Sequence, residues 1–112
     1  MGNGVLDMPE FTIVIATHQR AQLLRRAIVS CVSQSFSDVQ VVVVSDVVDL
    51  PTFEVCSELL RPGDVFVQHR GKRGPASSRN IGQQLAQGRS LIFLDDDDEF
   101  EPGFLDQVVR YR

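Results

Sequence analysis

Five acidic residues in succession, Asp95-Asp96-Asp97-Asp98-Glu99, follow directly on four apolar ones, Leu91-Ile92-Phe93-Leu94. The apolar run reads as a short strand buried on both faces, with the acids at its carboxyl end. Two carboxylates about 4 Å apart repel by roughly 1 kcal/mol in water and roughly 4 kcal/mol at an effective dielectric of 20. Crowding them at a strand tip is costly unless a cation neutralises them. With oxygen donors and no His or Cys alongside, a hard divalent ion such as Mg²⁺ or Mn²⁺ suits the cluster. The competing reading is a solvated acidic turn. Other loaded segments bear on the choice: Thr17-His18-Gln19-Arg20, Asp46, and the basic loop 69–75. Arg70, Lys72, Arg73 and Arg79 opposite a metal-bearing cluster would make a seat for a diphosphate. Asp46 could accept a hydrogen bond from a base or ribose, and His18 offers a flat face for stacking. The plainer alternatives are a solvated loop for the cations, a helix cap or turn for Asp46, and a structural loop role for His18. Neither a dinucleotide fingerprint nor a P-loop pattern occurs.

The elements that must carry these segments follow from periodicity. Phe11-Thr12-Ile13-Val14-Ile15-Ala16 is a β-branched run, expected as the first strand. Leu24, Ala27, Ile28, Cys31 and Val32 then share one face of a helix. Residues 39–45 form a second buried strand, with Asp46 at its carboxyl end. Pro51 suits the first turn of a helix carrying Phe53, Val55, Cys56, Leu59 and Leu60, stopped by Arg61-Pro62-Gly63-Asp64. Val65-Phe66-Val67 is a third strand. Ile81, Leu85 and Ala86 mark a helix closing at Gly88. After the acidic strand, Pro102 opens a last helix with Phe104, Leu105, Val108 and Val109 inward. Strands and helices in strict alternation predict the α/β class: a Rossmann-like, mainly parallel sheet with helices on both faces. Ligands of such sheets bind outside the carboxyl ends of the strands, and every loaded segment stands there.

Composition bounds the function. The 112 residues are 43% hydrophobic and 23% charged with net charge −4, enough for one globular domain. The acidic balance argues against a general nucleic-acid binder. No apolar run approaches the roughly 20 residues of a membrane span. Residues 1–10 lack the basic start and apolar block of a signal peptide. Met1-Gly2 opens like a myristoylation site, but Leu6 stands where Ser or Thr is required. Cys31 and Cys56 match no metal-ligand spacing and are expected reduced in the core. The expected setting is cytoplasmic, with peripheral attachment to the inner face of the membrane allowed.

With these motifs assembled, the chain resembles the family 2 glycosyltransferases of the GT-A fold, inverting enzymes that use nucleotide sugars. Thr-Ile-Val-Ile-Ala-Thr-His-Gln-Arg at 12–20 is similar to the family's opening strand and P-T-Y-N-R loop. Ser33-Gln34-Ser35-Phe36 and the valine-rich strand after it resemble its Q-T-Y…V-V-D-D segment, with Asp46 on the second aspartate. Gly74-Pro75-Ala76-Ser77-Ser78-Arg79-Asn80-Ile81-Gly82 is similar to G-P-A-x-A-R-N-x-G, and Phe93-Leu94-Asp95-Asp96-Asp97-Asp98 to F-L-D-x-D-D. The matches run in the family's order, and the likeness covers the chain from about residue 10 onward.

The resemblance implies a sugar transferase with a nucleotide-diphosphate-sugar donor, a UDP-sugar first among them. Its acceptor would be a glycan, lipid or protein hydroxyl, with no nucleic-acid partner. By position, Thr17 and His18 would line the base pocket, Asp46 would hold the base, and Arg20 would join them in the donor site. Asp95 and Asp97 would form the D-x-D pair, with Asp97 the direct metal ligand and Asp96 close to the ribose or metal. Gly74, Pro75 and Arg79 would face the donor. The bound ion would stabilise the leaving diphosphate, and inversion would also need a carboxylate base. Departures from the pattern are Ser45 for the first aspartate of the pair, Val47-Val48 for Gly-Ser, and His18 for tyrosine. Family members continue well past the metal motif, with the acceptor site and base there. The expectation is therefore a tail at 1–9 and a donor- and metal-binding half at 10–112, truncated before the acceptor half. Such a chain would bind nucleotide and transfer little sugar alone, its catalytic base lying beyond Arg112.

Other classes compete. A Mg²⁺-dependent phosphotransferase of the haloacid-dehalogenase type has Asp-x-Asp after its opening strand, whereas Asp95 follows the fourth. A receiver-like regulatory module needs a Lys after a late strand, and none follows the last one here. A degenerate transferase that only binds nucleotide is the remaining alternative, given Ser45.

Overall fold

β-Branched side chains are stiff at χ1 and pack well on a pleated surface, and two such runs make the centre of the sheet. These are β1 (Phe11–Thr17) and β2 (Val39–Ser45). In the computed structural model, which describes residues 8–111, they pair in parallel, Phe11 opposite Val39 through to Thr17 opposite Ser45. β3 (Val65–Gln68) flanks β2 and β4 (Ser90–Asp95) flanks β1, giving an all-parallel sheet of order β3-β2-β1-β4. The crossovers are α1 (Ala21–Val32), α2 (Leu50–Leu59) and α3 (Pro75–Leu85), and α4 (Phe104–Tyr111) follows β4.

Successive strand residues point to opposite faces, so the sheet divides the core in two. On one side Phe11, Ile13, Ile15, Val41 and Val43 pack with Leu24, Ala27, Ile28 and Cys31 of α1, Cys56 of α2 and Leu105 of α4. On the other, Val14, Val42 and Val44 meet Ile81 of α3 and Leu91. This is the Rossmann-like α/β arrangement expected from the alternation of elements. The chain leaves β1 toward β2 and β3 on one side and returns to β4 on the other. The sheet's switch point therefore lies between the carboxyl ends of β1 and β4, where such folds form a crevice.

Local chemistry explains the element ends. Asp49 caps α2, its Oδ1 accepting the Thr52 N–H at 2.9 Å, with Pro51 in the first turn. Gln34, buried after α1, fastens α4: Nε2 donates to Glu101 O at 2.9 Å and Oε1 accepts from Leu105 N–H at 3.0 Å. Cys31 and Cys56 are free and buried, and burial pushes both thiols up to about 12.

Four expectations are corrected. β4 is an edge strand, not one buried on both faces: Leu94 is buried but Phe93 is 44% exposed. An apolar run says that both faces can be covered, not that a neighbouring strand or helix covers them. α3 ends at Leu85, with Ala86 already extended. Gly88 instead serves close approach to β1, since its N–H donates to Thr12 Oγ1 at 2.8 Å and a Cβ there would lie 2.5 Å from Thr12 N. Pro102 and Gly103 form a turn ahead of α4, Gly103 taking φ +81. Val109 is partly exposed, so the inward face of α4 is carried by Phe104, Leu105 and Val108. The segment 1–7, including most of the expected tail and the Gly2 and Leu6 of the myristoylation reading, lies outside the described residues, as does Arg112. Among the described residues no helix is long and apolar enough to cross a membrane.

Candidate functional site

Parallel pairing brings the tips of β1, β2 and β4 to one edge of the sheet. β1 ends at Thr17, and the chain turns to α1 through Gln19, whose φ of +52 lies in the left-handed region. Thr17 is buried, its hydroxyl donating to Asp96 Oδ2 at 2.9 Å. Arg20 Nη1 donates to Asp96 Oδ1 at 3.2 Å and lies 3.9 Å from Asp97 Oδ2. The Asp96 carboxylate is thus turned inward, while Asp95 and Asp97 stay exposed.

β2 delivers Ser45 and Asp46. The Ser45 hydroxyl folds back onto Val47 O at 2.6 Å. Asp46 is only 7% exposed. Its Oδ1 lies 2.5 Å from His18 Nδ1, and its Oδ2 accepts the Gly74 N–H at 2.9 Å. Burial is the largest single influence and opposes ionisation. The hydrogen bonds from His18 and Gly74, helped by the charges of His18 and His69, outweigh it and hold the carboxyl below the usual carboxylate range.

The loop after β3 is anchored by the His69 N–H to Ser45 O at 2.9 Å, and His69 Nε2 meets Ser78 Oγ at 3.0 Å. Gly74 takes φ +115 as the chain enters α3, a conformation a side chain resists. The first turns of α3 then bring Pro75, Ser78 and Arg79 to the same edge, with Arg79 Nη2 donating to Asp95 Oδ1 at 2.9 Å.

The result is one cleft of about 240 Å³. Thr17, His18, Arg20, Asp46, Gly74, Pro75, Arg79, Asp95, Asp96 and Asp97, the residues that the family resemblance places at the donor and metal, all line it. Ala16 and Ser78 complete the lining. Ser78 stands one helical turn after Pro75, a spacing that would have found it. Arg70, Lys72 and Arg73 are exposed on the loop and do not line the cleft, so the cations facing the acids are Arg20 and Arg79.

Asp95, Asp97 and Asp98 can each turn a carboxylate oxygen to within 4.8 Å of the others. An exposed, all-oxygen donor set of this kind fits Mg²⁺ or Mn²⁺. Asp98 belongs to the acidic cluster read from the sequence but lies outside the D-x-D pair; its N–H bonds Asp95 O at 3.0 Å, closing the tight turn that brings it alongside.

Fold and cleft together define a Rossmann-like α/β protein with an acidic cleft at the sheet's switch point. The chain belongs to glycosyl transferase family 2, which it matches over residues 12–111. It is 33% identical over 106 residues to GalNAc(5)-diNAcBac-PP-undecaprenol beta-1,3-glucosyltransferase of Campylobacter jejuni, covering 92% of this chain and 34% of that protein. It is 32% identical over 103 residues to the succinoglycan biosynthesis protein ExoO of Rhizobium meliloti, covering 92% and 30%. The chain thus spans about a third of the length of the curated relatives it matches. Its fold is that of S. aureus TarS 1-349 in complex with UDP-GlcNAc (TM-score 0.80, 22% identity, 90% of this chain and 30% of that one). It is equally that of the mannosyltransferase PcManGT from Pyrobaculum calidifontis in complex with GDP-Man and Mn²⁺ (TM-score 0.79, 21% identity, 93% and 32%).

Proposed function

We propose that residues 10–112 form the donor-binding part of a metal-dependent, inverting glycosyltransferase, which passes a sugar from a nucleotide-diphosphate sugar to an acceptor hydroxyl. One observation carries the reading: the His18–Asp46 pair and the acidic cluster at Asp95 and Asp97 share a single cleft. The base end of the donor lies against Thr17, His18 and Asp46. Its diphosphate lies between Arg20, Arg79 and the acids, with Gly74 and Pro75 along the same wall. Asp97 and Asp95 would hold Mg²⁺ or Mn²⁺, with Asp98 in reach. When bound, such an ion offsets negative charge developing on a leaving diphosphate. Arg20 and Arg79 supply positive charge to the same region and hold Asp96 and Asp95 in place.

The neighbours support this choice of ligand, since one was solved with UDP-GlcNAc and another with GDP-Man and Mn²⁺. A UDP-sugar is the first donor to test. The acceptor is a glycan, lipid or protein, and the name of the Campylobacter relative, which includes PP-undecaprenol, supports a lipid-linked one. The setting is cytoplasmic, at or near the inner face of a membrane, with no nucleic-acid partner. No residue of the chain is assigned as the carboxylate base of an inverting displacement.

A calorimetric panel of UDP-, GDP- and dTDP-sugars, each with and without Mn²⁺, tests the reading. Ion-dependent binding of one nucleotide class is expected. Failure of all of them to bind in the presence of the ion would overturn the proposal.

A further inference from the structure

The base end of the cleft is closed by a clasp of three segments. Asp46 sits at its centre, nearly inaccessible, and each of its oxygens already has a protein partner: His18 Nδ1 at 2.5 Å on Oδ1 and the Gly74 N–H at 2.9 Å on Oδ2. A ligand reaches little of it. His18 is the reverse, a cleft-lining residue whose side chain is 49% exposed. The other imidazole near Asp46, His69, is bonded to Ser78 Oγ and does not line the cleft.

The chemistry of the pair determines which ring nitrogen carries the hydrogen. An ionised carboxylate only accepts, so Nδ1 must donate. In the neutral imidazole Nε2 then holds a lone pair. It lies on the edge of the ring away from Asp46, where a ligand can approach.

We propose that His18 is the residue that reads the nucleobase, accepting at Nε2 a hydrogen bond from a ring N–H, and that Asp46 is a positioning residue acting through it. The inference rests on the nucleotide reading of the cleft given above. The class of base follows from the lone pair. Uracil, thymine and guanine carry a ring N–H on their pairing edge, whereas cytosine and adenine carry a lone pair there. Against Nε2 the latter two set acceptor against acceptor. A ring that merely stacked would not discriminate in this way.

The test is calorimetric titration of the full chain with UDP and with CDP, at pH 8 with Mn²⁺, for the native protein, His18→Phe and Asp46→Asn. His18→Phe keeps a flat ring and leaves Asp46 bonded to Gly74, so it preserves the fold while removing the acceptor. The native protein is expected to favour UDP by about tenfold or more. His18→Phe should bring the UDP:CDP ratio close to one, and Asp46→Asn should lower it. Nitrogen-15 spectra of the His18 ring give a second readout that a merely structural role would not move. A single Nδ1–H tautomer is expected in the native protein, with an Nε2 shift on adding UDP but not CDP, and mixed tautomers in Asp46→Asn. A His18→Phe variant that keeps the native ratio would overturn the inference while leaving the nucleotide reading intact. A native protein that binds neither nucleotide would overturn the nucleotide reading first, and the inference with it.

Discussion

Thr17 Oγ1 donates to Asp96 Oδ2 at 2.9 Å, so the tip of β1 holds the second residue of the acidic run inside the protein. That bond sorts the run: Asp96 is turned in, and its neighbours Asp95 and Asp97 are left pointing out. Removing the hydroxyl leaves a buried carboxylate with Arg20 as its remaining partner. Thr17→Val should therefore destabilise the fold by about 1–2 kcal/mol. Urea denaturation checks this, with a lower midpoint and an unchanged slope as the expected result.

Asp46 makes stability depend on pH. Its folded-state pKa is lowered, because hydrogen bonds from His18 and Gly74 more than offset the opposing effect of burial. The unfolded chain then binds the proton more readily than the folded one, so the contribution is full above the ordinary carboxylate range. It is lost as pH falls through the depressed folded value, in the window below about pH 4. Urea midpoints measured from pH 6 to pH 3 should fall less steeply for Asp46→Asn than for the native protein. Parallel acid limbs would show that other carboxylates set the slope.

Gly82 lies where α3 crosses β1, and a Cβ there would come 2.3 Å from Val14 Cγ1. Val14 is buried and cannot swing away. Gly82→Ala should cost about 1–3 kcal/mol through overpacking. Paired with Val14→Ala, which removes the clashing methyl, the double variant should lose less than the sum of the single losses. Thermal unfolding of all three variants measures that coupling.

Much of this architecture was legible in the residues, because β1 and β2 are β-branched runs and α1 keeps a clean apolar face at helical spacing. Once the strands were expected to be parallel, the gathering of His18, Asp46 and the acids at one edge followed from topology alone. Which strand sits at an edge did not follow, since pairing partners are set by contacts far apart in sequence. That is why β4 reads as buried on both faces when Phe93 in fact faces outward. Gly88 looked like a helix stop because glycine serves both for turns and for close approach, and only the distance to Thr12 decides between them. Within the cleft, residue type suggested the members but not their partners. A row of acids does not announce that Asp96 pairs with Thr17, nor does an isolated Asp46 announce the His18 ring and the Gly74 amide. Charge alone points Arg70, Lys72 and Arg73 toward the acids, but the loop leaves them exposed and outside the cleft lining.

If the acids grip a cation and the cation grips a nucleotide's diphosphate, nucleotide affinity must depend on the ion. The most direct measurement is the affinity for UDP with and without Mn²⁺, in the native protein and in Asp97→Ala. The ion should tighten native binding by about tenfold or more, and Asp97→Ala should lose that gain. Equal affinity with and without Mn²⁺ in the native protein, or a full gain retained by Asp97→Ala, would contradict it.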